Sequence, residues 1–147
     1  MIQRIQSLFL LLAAACAFAL FAFPFASVPL VDSNASLIFA DGMFDIRDHV
    51  AMLALFCIAG GLAFVGIFMF RNRKTQLIVA RLAIIANIIG LVLALVIFMQ
   101  ESKSLGNVEP NDEMGLFLPM LFLIFGGLAL WFIGKDEKLV RSMDRLR

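Results

Sequence analysis

The sequence predicts an all-α membrane protein, an antiparallel four-helix transmembrane bundle with both termini cytoplasmic. Three observations carry that reading. Hydrophobic residues make up 63% of the 147-residue chain and charged residues 16%, and mean hydropathy is +1.00. A soluble domain of this size has too much surface per unit volume to hide so many apolar side chains. The apolar residues fall into four long runs, and the basic residues collect on one side of those runs.

The first span covers about residues 5–23 and is closed by Pro24 and Pro29, which break helix continuation. The others cover about 50–70, 77–99 and 114–134, the third interrupted only by Arg81 and Asn87. Each approaches the ~20 residues a helix needs to cross the hydrocarbon layer. Helices are expected because they satisfy their own backbone in lipid, and strand alternation is missing. The first span is expected to stay attached, since no small-x-small cleavage site follows it. The whole chain reads as one membrane domain. Its outer loops are 24–49 and 100–113, its cytoplasmic loop is 71–76, and its tail is 135–147.

Charge sets the expected orientation. Arg4, Arg71, Arg73, Lys74, Arg81, Lys135, Lys138, Arg141, Arg145 and Arg147 lie on one side, and only Arg47 and Lys103 on the other. The positive-inside rule then places both termini and loop 71–76 in the cytoplasm of a bacterial inner membrane.

Packing in lipid relies on close approach and a few polar contacts. The expected seams are Ala15, Ala19 and Ala22 in the first span; Ala59, Ala63 and Gly66 beside Gly60 and Gly61 in the second; Ala83, Gly90 and Ala94 beside Ala86 in the third; and Gly126 and Gly127 in the fourth. Asn87 lies close to the third of these stripes, so it is expected to face protein as a helix-packing polar residue. Pro119 removes a backbone donor early in the fourth span, which predicts a loosened first turn. Arg81 and Trp131 are expected at the cytoplasmic interface as anchors, with Arg81 reaching lipid phosphate or pairing with Asp136 or Glu137.

Asp41, Asp45, Asp48 and His49 form the densest titratable cluster, but they hold one His and no metal spacing. Asp48 reads as the N-cap of the second helix. Asp41-Gly42 between Ser36–Ala40 and Met43–Ile46 is a hairpin signal. Cys16 and Cys57 sit inside apolar runs and read as small hydrophobes. In the tail, Leu139, Met143 and Leu146 recur at helical spacing beside Arg141 and Arg145, giving an amphipathic stretch suited to the anionic inner leaflet or to a partner protein.

The opening Met1-Ile2-Gln3-Arg4-Ile5-Gln6-Ser7-Leu8 and the closing Asp136-Glu137-Lys138-Leu139-Val140-Arg141-Ser142-Met143-Asp144-Arg145-Leu146-Arg147 resemble a family of uncharacterised four-span membrane proteins of Bacteroidetes-type bacteria. The resemblance spans the chain and implies a four-helix inner-membrane protein, without an assigned activity to carry onto any residue. The expected function is therefore that of a non-enzymatic accessory or structural component of a larger membrane assembly. No cofactor, nucleic acid or small-molecule substrate is indicated. The expected partners are the lipid bilayer and either a membrane protein or a second copy of the chain. The alternatives are a small oligomeric channel or transporter, and a lipid-modifying enzyme using the outer acidic loop.

Overall fold

The computed structural model describes residues 2–27, 42–102 and 111–144, with side chains placed for 5–27, 42–102, 111 and 113–139. Four helices dominate: α1 (Ile2–Ala19), α2 (Val50–Phe68), α3 (Arg73–Glu101) and α4 (Phe117–Asp144). Among the described residues three two-residue strands join them: β1 (Ala26–Ser27), β2 (Met43–Phe44) and β3 (Asn111–Asp112). Among the described residues three stretches, Val50–Phe68, Arg73–Glu101 and Met114–Leu139, are long and apolar enough to cross a membrane, and α1 supplies a shorter apolar helix over Ile5–Ala19. Only 33% of the α2 span is buried inside the bundle, so most of a helix that is apolar all round faces outward, as helices do in lipid.

Each helix begins or ends for a local reason. α1 stops at Ala19, short of the expected boundary at 23. Phe21 and Ala22 form tight turns onto Phe18 and Ala19, because Pro24 disfavours helical backbone before it. His49, not Asp48, is the N-cap of α2: its Nδ1 accepts from the Ala51 amide at 3.2 Å. Asp48 instead accepts from the Asp45 amide at 2.6 Å, so its carboxylate shapes the approach to the helix. Asn72 caps α3, its Oδ1 accepting from the Thr75 amide. Helix α3 therefore starts at Arg73, and the expected loop 71–76 shrinks to the turn between Met69 and Asn72. A 3₁₀ turn at Met114–Leu116 leads into α4, where Pro119 falls in the first turn. No break separates span and tail, and α4 continues to Asp144.

α1 packs on α2 and α4, and α3 packs on α2 and α4, closing a four-cornered bundle. Alanines line its middle: Ala13, Ala14, Ala17, Ala59, Ala63, Ala83 and Ala86, with Phe122. The α1 seam differs from expectation. Ala13, Ala14 and Ala17 are buried between Leu10 and Leu20, while Ala15 and Ala22 are exposed. Small residues lie on both faces of α1, so small size alone did not mark the packed one. The other seams hold, except that Gly127 is exposed and Gly61 has open space beside it. Added Cβ atoms would meet Ala17 at 3.0 Å from Gly60, Phe56 at 3.2 Å from Gly90 and Ile84 at 3.0 Å from Gly126. These contacts gain dispersion energy that does not depend on water.

The sheet closes one end. β1 pairs antiparallel with β2 and with β3. Gly42 precedes β2 with φ 74°, a left-handed conformation that suits glycine. Residues 36–41, the other half of the expected hairpin, lie outside the described residues, and the partner of β2 is β1. Phe25 and Phe44 from this sheet pack with Phe56 of α2 and Phe98 of α3. Aromatic bulk fills the corner left because α1 ends, and α4 begins, below the last turns of α3.

Candidate functional site

Polar side chains inside this bundle are few and concentrated at the end opposite the sheet. Gln6, Gln76, Asn87 and Asp136 are buried, and each contacts a neighbouring helix or its flanking turn. The Gln6 side chain of α1 donates from Nε2 to the Phe132 carbonyl at 3.1 Å and to Asp136 Oδ2 at 2.6 Å. Arg73 of α3 donates from Nη1 to the Asp136 carbonyl at 3.0 Å, with Asp136 Oδ2 at 3.8 Å. Gln76 of α3 donates to the Gly66 carbonyl of α2 at 3.0 Å. All four helices are thus tied at one end, which also holds the α2–α3 turn and the end of α4.

Asn87 is the midpoint of α3 and is fully buried. Its Nδ2 donates to the Pro119 carbonyl at 3.1 Å, joining α3 to the first turn of α4. Its Oδ1 is buried among the described residues without a hydrogen-bond partner. Asn87→Leu should lower stability modestly, toward the low end of roughly 0.5–2 kcal/mol. The lost donor bond is offset by removal of an unsatisfied acceptor. Thermal unfolding in a mild detergent checks this, and loss of a measured ion or solute flux with unchanged folding would contradict the packing role.

Arg81 does not pair with Asp136, which faces inward along the Ala129–Ile133 face and is held by Gln6 and Arg73. Arg81 instead lines a groove of about 520 Å³ between α3 and α4, with Leu77, Leu130, Trp131, Gly134, Lys135, Glu137 and Lys138. The Lys135 ammonium stands 5.3 Å from the centroid of the exposed Trp131 ring, a cation–π distance.

Of the tail residues, Leu139 is about half exposed near the end of α4. Arg141 and Met143 lie on the same helix, and Arg145 and Leu146 lie outside the described residues. In the acidic loop, Asp45 and Asp48 accept backbone amides and His49 caps α2. Asp41 lies outside the described residues. Among the described residues no group of three His, Cys, Asp or Glu side chains is arranged to hold a metal ion. Cys16 and Cys57 are free thiols, both partly buried.

Sequence reasoning passed over Gln6, Arg73, Gln76 and Asp136 as interior residues. A signal was present for Asp136. It continues the spacing of Ala129 and Ile133, and so falls on the buried stripe of α4. Gln6 sits four residues before Leu10 on the buried stripe of α1.

Comparison with curated proteins finds no match, and neither does comparison with solved structures. A family profile does match, over residues 2–146, and the chain belongs to the family described as Domain of unknown function (DUF4293).

Proposed function

We propose that the protein is a four-span scaffold of the bacterial inner membrane, a non-enzymatic structural or accessory component of a larger assembly, with both termini in the cytoplasm. The observation that carries this is the use of the buried polar side chains. Gln6, Gln76, Asn87 and Asp136 each reach across to another helix, an arrangement that fixes helices against one another. α1 counts as the fourth span on this reading. It runs from Gln6, beside Asp136, to Ala19, and in the turn that follows Arg47 donates to the Phe21 carbonyl. The ten basic residues that the sequence assigns to the side of the α2–α3 turn favour the cytoplasm.

The tail is the proposed contact with the assembly. At 28 residues, α4 is about 42 Å long, against a hydrocarbon layer of about 30 Å. Its last turns therefore emerge from the membrane as a helix carrying Leu139, Arg141 and Met143. A docking helix depends on which apolar side chain sits where, while a lipid-bound helix depends on charge and amphipathic pattern. Permuting residues 139–147 with both features preserved separates the two. Purification from native membranes should yield a stoichiometric companion with the natural tail and lose it with the permuted tail. Equal recovery would make the tail a lipid anchor. A companion-free homo-oligomer that conducts ions or solutes after reconstitution would replace the scaffold reading with a channel or transporter.

A further inference from the structure

We infer that the groove between α3 and α4 is a binding site for the headgroup of an anionic phospholipid. The inference stands apart from the scaffold reading, since a bound lipid suits a scaffold or a transporter alike. The groove carries Arg81, Lys135 and Lys138 against the single carboxylate Glu137, a net positive lining that complements a phosphodiester. Among the described residues no carboxylate lies within ion-pair distance of these three cations, and the ion pair of this end joins Arg73 to Asp136. Arg81 belongs to a span, eight residues into α3, so its guanidinium meets the membrane at headgroup depth. A cation there without an internal partner is stabilised by lipid phosphate.

Shape supports the same occupant. A volume of about 520 Å³ falls within the ~300–1,000 Å³ of sites that hold small molecules. Gly134 lies within the groove, and a Cβ built there would meet nothing within 4 Å. Trp131 forms one wall, with its indole exposed as at membrane interfaces and Lys135 held over its face. From this charged mouth an apolar strip continues along both helices: Ile85 and Ile88 on α3, Leu128 and Ile124 on α4, all exposed. Cationic groups at one end and an uninterrupted apolar track at the other fit an amphiphile with acyl chains better than a soluble anion. Basic pockets between transmembrane helices hold lipid headgroups by this combination.

Trp131 is the only tryptophan of the chain, so its fluorescence reports on the groove directly. The full-length protein in zwitterionic nanodiscs is titrated with acyl-brominated phosphatidylglycerol and, separately, with acyl-brominated phosphatidylcholine. The quenching ratio of the two lipids cancels any change in baseline emission. Phosphatidylglycerol should quench at lower mole fraction. The preference should fall roughly fivefold for each cation removed in Arg81→Gln and Lys135→Gln. Gly134→Leu keeps every charge and fills the groove, and it should abolish the preference. Arg71→Gln with Lys74→Gln removes charge from the same end outside the groove and should leave it unchanged. Equal quenching by the two lipids would overturn the proposal, as would an equal loss in the Arg71/Lys74 variant, which would reduce the effect to diffuse charge. Reversal of phosphatidylglycerol quenching by millimolar inorganic phosphate would overturn it too, by assigning the groove to a soluble anion.

Discussion

Gly115→Ala should destabilise the protein by about 3 kcal/mol, at the upper end of what overpacking costs. Gly115 lies in the 3₁₀ turn before α4, and its amide donates to the Pro24 carbonyl at 2.9 Å. A Cβ there would fall 2.5 Å from the Pro24 carbonyl carbon and 2.6 Å from the Phe23 oxygen. Both obstacles are backbone, so no side chain can rotate aside. Relief requires the two segments to part, which breaks the Gly115–Pro24 bond and strains the adjacent Glu113–Phe25 bond at 3.1 Å. Those bonds hold the sheet cap to the start of α4. Loss should appear as a lowered unfolding temperature in mild detergent and as earlier proteolysis within 20–27 and 111–116. Gly127→Ala is the control. A Cβ at Gly127 meets nothing within 4 Å, and that variant should unfold with the natural protein.

Asp136→Ala should cost about 3 kcal/mol, because it breaks a buried charged network from its centre. The Asp136 side chain is 7% exposed. Without it the buried Gln6 amide keeps only its bond to Phe132, and Arg73 loses its anionic partner. Arg73 is partly exposed and regains water, so the larger share of the loss falls on Gln6 and on the cavity. A double-mutant cycle separates these contributions. Gln6→Ala with Asp136→Ala should be less destabilising than the sum of the singles, by roughly 1–2 kcal/mol. Strict additivity would show that the two side chains do not cooperate.

Much of the architecture was legible in the sequence because it rests on local quantities. Run length and charge exposed the apolar helices, and the small residues of α2 and α3 marked true seams. The Asn87 position beside Ala83, Gly90 and Ala94 was enough to place it inside. What escaped was non-local. The two residues of β2 pair with Ala26 and Ser27, and these in turn with Asn111 and Asp112. No turn signal near Asp41-Gly42 encodes a partner from the stretch after α1, nor that stretch's second partner from the loop before α4. The polar network escaped for another reason. Asp136 and Arg73 look like interfacial charges in a list of loops. Only the direction in which α4 presents Asp136, and its meeting with Gln6 from the far end of the chain, make them interior. Of the partners the sequence leaves open for Arg81, Asp136 drops out because it lies on the inward side of α4 while Arg81 lines the groove, a difference that sequence distance does not show.

The most direct measurement is accessibility of single cysteines in intact cells, at Asn34, Lys74 and Asn107 and at a residue added before Met1. The two native thiols, Cys16 and Cys57, are replaced by alanine beforehand. A four-span bundle with the tied end in the cytoplasm predicts that Asn34 and Asn107 react with an impermeant maleimide. Lys74 and the N-terminal position should react only after the membrane is opened. Labelling of the N-terminal position from outside, with Lys74 protected, would show that α1 does not cross. Labelling of Lys74 from outside, with Asn34 protected, would invert the bundle and contradict the account.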